Sequence, residues 1–345
     1  MPATEILCVG EVVWDALPAG LFLGGAPFNV ACHLAAAGLP VSLVSRVGRD
    51  HLGDEAVRRA AWYGVHTDLV QRDDTLPTGL VRVTVDAAGA PSYEIVDPAA
   101  WDAIAPTPEL LRRAADARAI VFGSLAQRRE TSRRTIERLG SADAVRVFDA
   151  NLRPPHDDAE VVRASLARAS VAKLTEAELR RVAEWFRLPD ESAARTAAAI
   201  AETFGCRVVC VTRGSEGAGL WHDGRWTEHP GFEVEVRDTV GTGDAFLAVL
   251  LAGLLRGGAD DRTLLRHANL AGAYVATQAG AVPADQPAAA GTAAAAEPRR
   301  RPPRPASAAV AEPRAARRAP RAARRDTRWV SHPTKDVLDL VSRGA

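Results

Sequence analysis

The chain has 345 residues, 47% of them hydrophobic and 25% charged, with 43 basic and 43 acidic side chains and no formal net charge. That balance suits the core of one large α/β domain or two ordinary ones and argues against a wholly nucleic-acid-binding protein. The neutrality is uneven: from Ala284 onward lie 13 basic and 6 acidic residues, leaving 30 basic against 37 acidic before it, so an acidic body carries a basic tail.

Short apolar runs alternate with helical stretches along the body. A strand is expected at 6–9, ending at Gly10, and a helix over 29–37, entered through Gly24-Gly25-Ala26-Pro27 and stopped at Gly38. A strand at 41–47 and a helix over 53–63 follow. Further buried strands are expected at 119–123, 145–149 and 171–174, separated by helices around 131–139 and 159–167. Another strand falls at 208–212, and helices cover 242–255 and 263–278. Strands spaced by helices in this way build a mainly parallel sheet covered on both faces.

Two hairpins break the rhythm. One pairs 80–85 with 92–96 across Asp86-Ala87-Ala88-Gly89-Ala90-Pro91, and a shorter one pairs 220–221 with 225–227 around Asp223-Gly224. A β-rich insertion in an α/β body reads either as a lid over a cleft or as a decorated sheet edge. Beyond Pro283, residues 284–325 are Ala, Pro and Arg with almost no large apolar side chain, a composition expected to be disordered. A short helix is possible over 336–342. The ten arginines between Arg299 and Arg325 read as a solvated linker rather than a nucleic-acid contact.

Four cysteines (Cys8, Cys32, Cys206, Cys210) are too few for a disulfide framework. Cys206 and Cys210 flank or enter an apolar run and read as buried thiols rather than metal ligands. The eight histidines show no ligand spacing. No leader-like segment and no apolar run of about 18 residues occurs, so a cytoplasmic chain without a membrane partner is expected. Lys173 and Lys335 are the only lysines, and no G-x-x-x-x-G-K-[ST] sequence exists, which excludes a P-loop.

The sharpest local signal is Asp238-Thr239-Val240-Gly241-Thr242-Gly243-Asp244-Ala245-Phe246, followed directly by an apolar helix. Glycines at 241 and 243 allow a tight turn with bare N–H groups at a helix N terminus, a site for a phosphoryl-like anion. Asp244 sits at that terminus, where a carboxylate stays ionised and can accept a proton. An anion hole beside a base is what phosphoryl transfer to an alcohol requires. By itself the pattern reads equally as an N-cap. Gly24-Gly25-Ala26-Pro27-Phe28-Asn29 permits close approach of a ligand, with Asn29 supplying a donor and an acceptor, or is an ordinary helix start. Upstream, Glu11-Val12-Val13-Trp14-Asp15 leaves a strand end and sets Asp15 to accept from sugar hydroxyls, or to serve as a turn residue.

Residues 24–38 and 238–251 resemble the two signature regions of the PfkB (ribokinase-like) carbohydrate kinases, in order and about 210 residues apart. Supporting stretches resemble the bacterial fructokinase branch: Val9 to Asp15, Pro77-Thr78-Gly79, Ala100-Trp101-Asp102-Ala103-Ile104, and Phe148-Asp149-Ala150-Asn151-Leu152-Arg153-Pro154-Pro155. The similarity runs from about residue 5 to 284. It implies a ribokinase-like three-layer α/β sandwich over 1–284, with a β-sheet lid from about 12–23 and 79–97, then a 285–345 extension.

The resemblance also implies an activity: ATP-dependent phosphorylation of a sugar's primary hydroxyl, D-fructose to fructose 6-phosphate. Asp244 would be the general base and Gly241, Thr242 and Gly243 would hold the transferring phosphoryl group. Asp15, Gly24, Gly25 and Asn29 would grip the sugar, with Asn151 and Arg153 lining the phosphate side. Thr212, Gly214 and Gly217 match the nucleotide loop, and Asn269 the helix flanking the adenine. Glu178 would order Mg²⁺ through water, although Thr175 replaces the usual asparagine of N-x-x-E. Asp238 matches where relatives bind a monovalent cation such as K⁺. Trp14 and Trp101 fall in lid-matching stretches and read equally as core packing. Lids of the family pair into homodimers. Kinases for 2-keto-3-deoxygluconate, ribose or a nucleoside remain alternatives, as does a non-catalytic sugar-binding regulator.

Overall fold

Every residue of β1 (Ile6–Val9) is buried, yet its side chains divide between two cores: Ile6 and Cys8 pack on one face, Leu7 and Val9 on the other. That division follows from the two-residue period of a strand. It recurs along the other central strands, which is why they read as unbroken apolar runs. The computed structural model describes residues 5–17, 20–85, 91–141 and 143–283. The basic extension, the 336–342 helix and the turn residues 86–90 of the first hairpin lie outside the described residues.

After β1 come β2 (Val13–Leu17), β3 (Gly20–Gly24), α1 (Ala26–Ala36), β4 (Val41–Gly48), α2 (His51–Trp62), β5 (Val70–Asp73), β6 (Gly79–Val85) and β7 (Pro91–Ile95). Next are α3 (Pro108–Ala115), β8 (Ala119–Gly123), α4 (Glu130–Arg138), β9 (Val145–Asp149), α5 (Ala159–Leu166), β10 (Val171–Thr175), α6 (Glu176–Phe186) and α7 (Ala193–Phe204). The described chain closes with β11 (Val208–Thr212), β12 (Ala218–His222), β13 (Arg225–His229), α8 (Thr242–Arg256) and α9 (Asp261–Ala276).

Among the described residues a nine-stranded sheet runs β13-β12-β11-β10-β9-β8-β1-β4-β5, parallel except for the β11-β12-β13 edge. Leu34 of α1, Leu250 of α8 and Leu265 of α9 fill the core on one face. Leu110 of α3, Ile136 of α4, Leu166 of α5, Leu179 of α6 and Ile200 of α7 fill the other. The result is the expected three-layer sandwich. A separate four-stranded sheet, β3-β2-β6-β7, stands apart from it.

One boundary differs from the sequence expectation, and two pairings that it left open are decided by the fold. The first long helix starts at Ala26 rather than 29, because Pro27 occupies its first turn, where a missing N–H costs nothing. Of the two readings for the shorter hairpin, the decorated sheet edge is the one found: it extends the main sheet as β12 and β13. The β2-β3 ribbon, within the expected lid, pairs antiparallel from Val13↔Gly24 to Leu17↔Gly20, a register that local pattern did not reveal. Trp14 and Trp101 are both buried packing residues. Trp101 lies under the Arg128 guanidinium at 4.1 Å, and Trp14 donates from Nε1 to the Leu52 carbonyl at 3.0 Å. All four cysteines are buried free thiols, and no helix of the described residues is long and apolar enough to cross a membrane.

Candidate active site

The carboxyl ends of β1, β9, β10 and β11, the first turns of α1 and α8, and one face of the small sheet enclose a cleft of about 1660 Å³. Ligands of open α/β sheets collect at this edge. The volume exceeds the roughly 300–1,000 Å³ of a single drug-sized pocket. Alternation along β2 turns Val13, Asp15 and Leu17 toward the cleft and Trp14 away from it.

Gly241 precedes α8 in the left-handed region at φ 77°, and a Cβ there would fall 2.5 Å from Ala281 Cα, so glycine is required. No side chain caps this helix. Ala245 is the first residue whose N–H reaches an intrahelical acceptor, the Gly241 carbonyl at 2.9 Å. The amides of Gly243 and Asp244 have no backbone acceptor among the described residues. Thr242 instead bonds its hydroxyl back to the Thr239 carbonyl at 3.0 Å. Gly25, before α1, has φ 111° and would set a Cβ 2.4 Å from the Glu11 carbonyl oxygen.

The two glycine-entered helices meet through one hydrogen bond: Asn29 Nδ2 donates to Asp244 Oδ2 at 2.8 Å. A carboxylate only accepts, so the amide nitrogen must face it. Asn29 Oδ1 is then buried without a partner. Glu11, 3% exposed, also lines the cleft and has an unpartnered buried oxygen, Oε2. Burial pushes its carboxyl up to about 7; Asp244 adds to the rise, while Arg153 and the backbone N–H groups of Glu11 and Ala26 oppose it. Burial likewise raises Asp15, against the pull of Arg153.

Asp15, Gly24, Gly25, Asn29, Asn151 and Arg153 all line this cleft, as do Gly241, Thr242, Gly243 and Asp244. Thr212, Gly214, Gly217, Asn269, Glu178 and Asp238 line it too. Arg153 is exposed, and its Nη1 donates to the Leu152 carbonyl at 3.0 Å. Thr212 bonds the Leu174 carbonyl at 3.4 Å, and Asn269 Nδ2 donates to the Leu265 carbonyl one turn back at 2.7 Å. Asp238 ties two segments together, accepting from Val240 N at 3.0 Å and Gly280 N at 3.0 Å.

Glu178 is the third helical residue of a capping box with Thr175. It accepts from Thr175 N and Leu152 N, each at 2.7 Å, while Thr175 Oγ1 accepts from Glu178 N at 3.2 Å. The threonine that replaces asparagine therefore has a helix-starting job. The T-x-x-E spacing could have revealed it from sequence.

Sequence reasoning assigned no role to Glu11 or Lys173. Lys173 Nζ, on β10, bonds both oxygens of Asp149 on β9 at 2.8 and 3.0 Å, deep beside Gly243. Its rarity in an arginine-rich chain was the available signal. No cluster of three or more His, Cys, Asp or Glu side chains among the described residues forms a metal cage.

The family model described as pfkB family carbohydrate kinase matches residues 5–289, and the chain belongs to that family. It is a sugar kinase, an enzyme that transfers phosphate to a hydroxyl group. The chain is similar to the fructokinase of Escherichia coli, 29% identical over 307 residues that span 82% of this chain and 96% of that one. Among solved structures it resembles fructokinase with bound ATP from Xylella fastidiosa, at 27% identity and TM-score 0.69, over 81% of this chain and 94% of that one. It also resembles a double mutant of Vibrio cholerae O395 fructokinase in its fructose, ADP and potassium ion bound form, at 25% identity and TM-score 0.69, over 83% and 96% of the two chains.

Proposed function

We propose that this enzyme transfers the γ-phosphoryl group of ATP to the primary hydroxyl of D-fructose, giving fructose 6-phosphate and ADP. The observation that carries the reading is the Asn29–Asp244 contact at 2.8 Å, flanked by two buried acceptors without partners, Asn29 Oδ1 and Glu11 Oε2. Buried acceptors left unpaired are costly, and a polyol supplies O–H donors that satisfy them.

Asp15, Gly24, Gly25 and Asn29 form the sugar end in this reading, with Asn151 and Arg153 beside them. Asn29 occupies Asp244 Oδ2 and orients the carboxylate, so that Oδ1 takes the proton of the attacking hydroxyl. The new bond forms between sugar oxygen and phosphorus as the bond to the leaving ADP oxygen breaks. The Gly241–Asp244 turn holds the charge that spreads over the phosphoryl oxygens. Thr212, Gly214, Gly217 and Asn269 shape the nucleotide end.

The donors suit Mg²⁺ carried by the nucleotide rather than caged by protein. Mg²⁺ keeps waters and needs only one or two carboxylates, and each Glu178 oxygen, already accepting one backbone N–H, retains a lone pair for a metal-bound water. Bound there, the ion would neutralise phosphate charge. Asp238, tied to the backbone at Val240 and Gly280 beside the α8 turn, would hold a K⁺ in this reading together with the carbonyl oxygens of those segments. The small sheet serves as the lid, and its exposed Leu21 and Phe22 suit a homodimer contact.

Coupled ADP release over D-fructose, 2-keto-3-deoxygluconate, ribose and a nucleoside tests the substrate. Asp244→Asn should lower kcat on the best sugar at least about a hundredfold, the lower range of general-base assistance, with the fold retained. Near-normal turnover would refute the assignment. A sugar-binding protein without turnover would instead bind fructose and release no ADP.

A further inference from the structure

Lys173 is 4% exposed, and among the described residues its charge is paired directly with Asp149 alone. A buried ion pair is weak evidence for stability, because desolvation offsets most of the attraction. Its place at the floor of a cleft therefore asks for another reason. Three features give one.

First, an ammonium has three donors, and Asp149 takes two of them at 2.8 and 3.0 Å; no third partner is found among the described residues. Second, Nζ lies 3.4 Å from where a Gly243 Cβ would stand, so it abuts the uncapped first turn of α8 from below, and Lys173 lines the cleft. Third, that region is rich in negative charge: Asp149, Glu178 and Asp244 all act on Lys173 and, against the effect of burial, hold it above the usual lysine range. An arriving phosphoryl group adds more negative charge.

We propose that Lys173 is a phosphoryl-contacting residue: steered by Asp149, its Nζ reaches past Gly243 and bonds an oxygen of the phosphate chain held at the α8 terminus. Asp149 is its positioning residue. The inference rests on the proposed kinase reaction. A compact ammonium with three rotatable donors suits this place beside Gly243, in a chain where lysine occurs at only two positions.

The test compares ADP with adenosine, a phosphate-free probe, by calorimetric titration of the full chain. Lys173→Met leaves Asp149 buried and unpaired and is expected to destabilise the fold, so the deciding protein is the neutral double variant Asp149→Asn/Lys173→Met. It should bind adenosine as the parent does and ADP about 10- to 100-fold more weakly, the range of one charge-assisted hydrogen bond. Its kcat should fall by at least as much, with the sugar KM little changed. An unchanged ADP-to-adenosine affinity ratio in the folded double variant would overturn the assignment. Should the parent phosphorylate no sugar, the functional reading fails, while the ADP-to-adenosine ratio still judges Lys173.

Discussion

Replacing Glu11 by Gln should remove a pH-dependent penalty from the stability of the ligand-free enzyme. The Glu11 carboxyl is pushed from 4.5 to about 7, chiefly by burial. An acid whose folded pKa exceeds its unfolded one binds the proton more tightly in the native state. Its contribution is therefore fully present below pH 4.5 and lost as pH rises through 7. At 1.36 kcal/mol per pKa unit that loss amounts to about 3 kcal/mol. Gln keeps the volume and an acceptor for the Ala26 N–H but carries no charge. The assay is urea unfolding of parent and variant from about pH 4.5 to about pH 8. Other shifted groups, such as His33 and Asp15, are present in both proteins and largely cancel in the difference. The variant should gain about 3 kcal/mol on the parent across that range. Parallel stability curves would refute the argument that burial of this carboxyl outweighs its backbone N–H partners and the Arg153 charge.

Three further outcomes follow from the same geometry. Gly25→Ala would drive a Cβ to 2.4 Å from the Glu11 carbonyl oxygen at φ 111°, so it should cost about 1–3 kcal/mol by thermal melting and abolish most sugar turnover. Trp101→Ala, which empties a fully buried site outside the cleft, should cost about 3–5 kcal/mol in urea unfolding while the folded fraction keeps its KM for ATP. Glu178→Gln has only one oxygen for the two backbone donors at Thr175 and Leu152; the Mg²⁺ concentration for half-maximal rate should rise severalfold, and full activity at unchanged Mg²⁺ would remove Glu178 from the metal's surroundings.

Periodicity made the strands and helices of the main body legible, because residues such as Ile6 to Val9 or Val208 to Val211 are buried on both faces and so leave continuous apolar runs. The glycine turns at Gly25 and Gly241 were also legible, since a positive φ against a neighbouring backbone tolerates little else. Local pattern did not show that Trp14 would turn into packing while Asp15 faced the cleft, or that the 218–229 hairpin would extend the main sheet. Both depend on which distant strand supplies the pairing edge.

By itself, then, the chain determined its alternating α/β architecture and the two glycine-entered helix starts, because those properties arise within a few bonds of backbone. Tertiary structure decided the rest. It brought Asn29 to Asp244 across 215 positions, locked Lys173 against Asp149, and shut Glu11 away from water beside another carboxylate. Charge, desolvation and hydrogen-bond complementarity are set by neighbours in space, and here those neighbours are far apart along the chain.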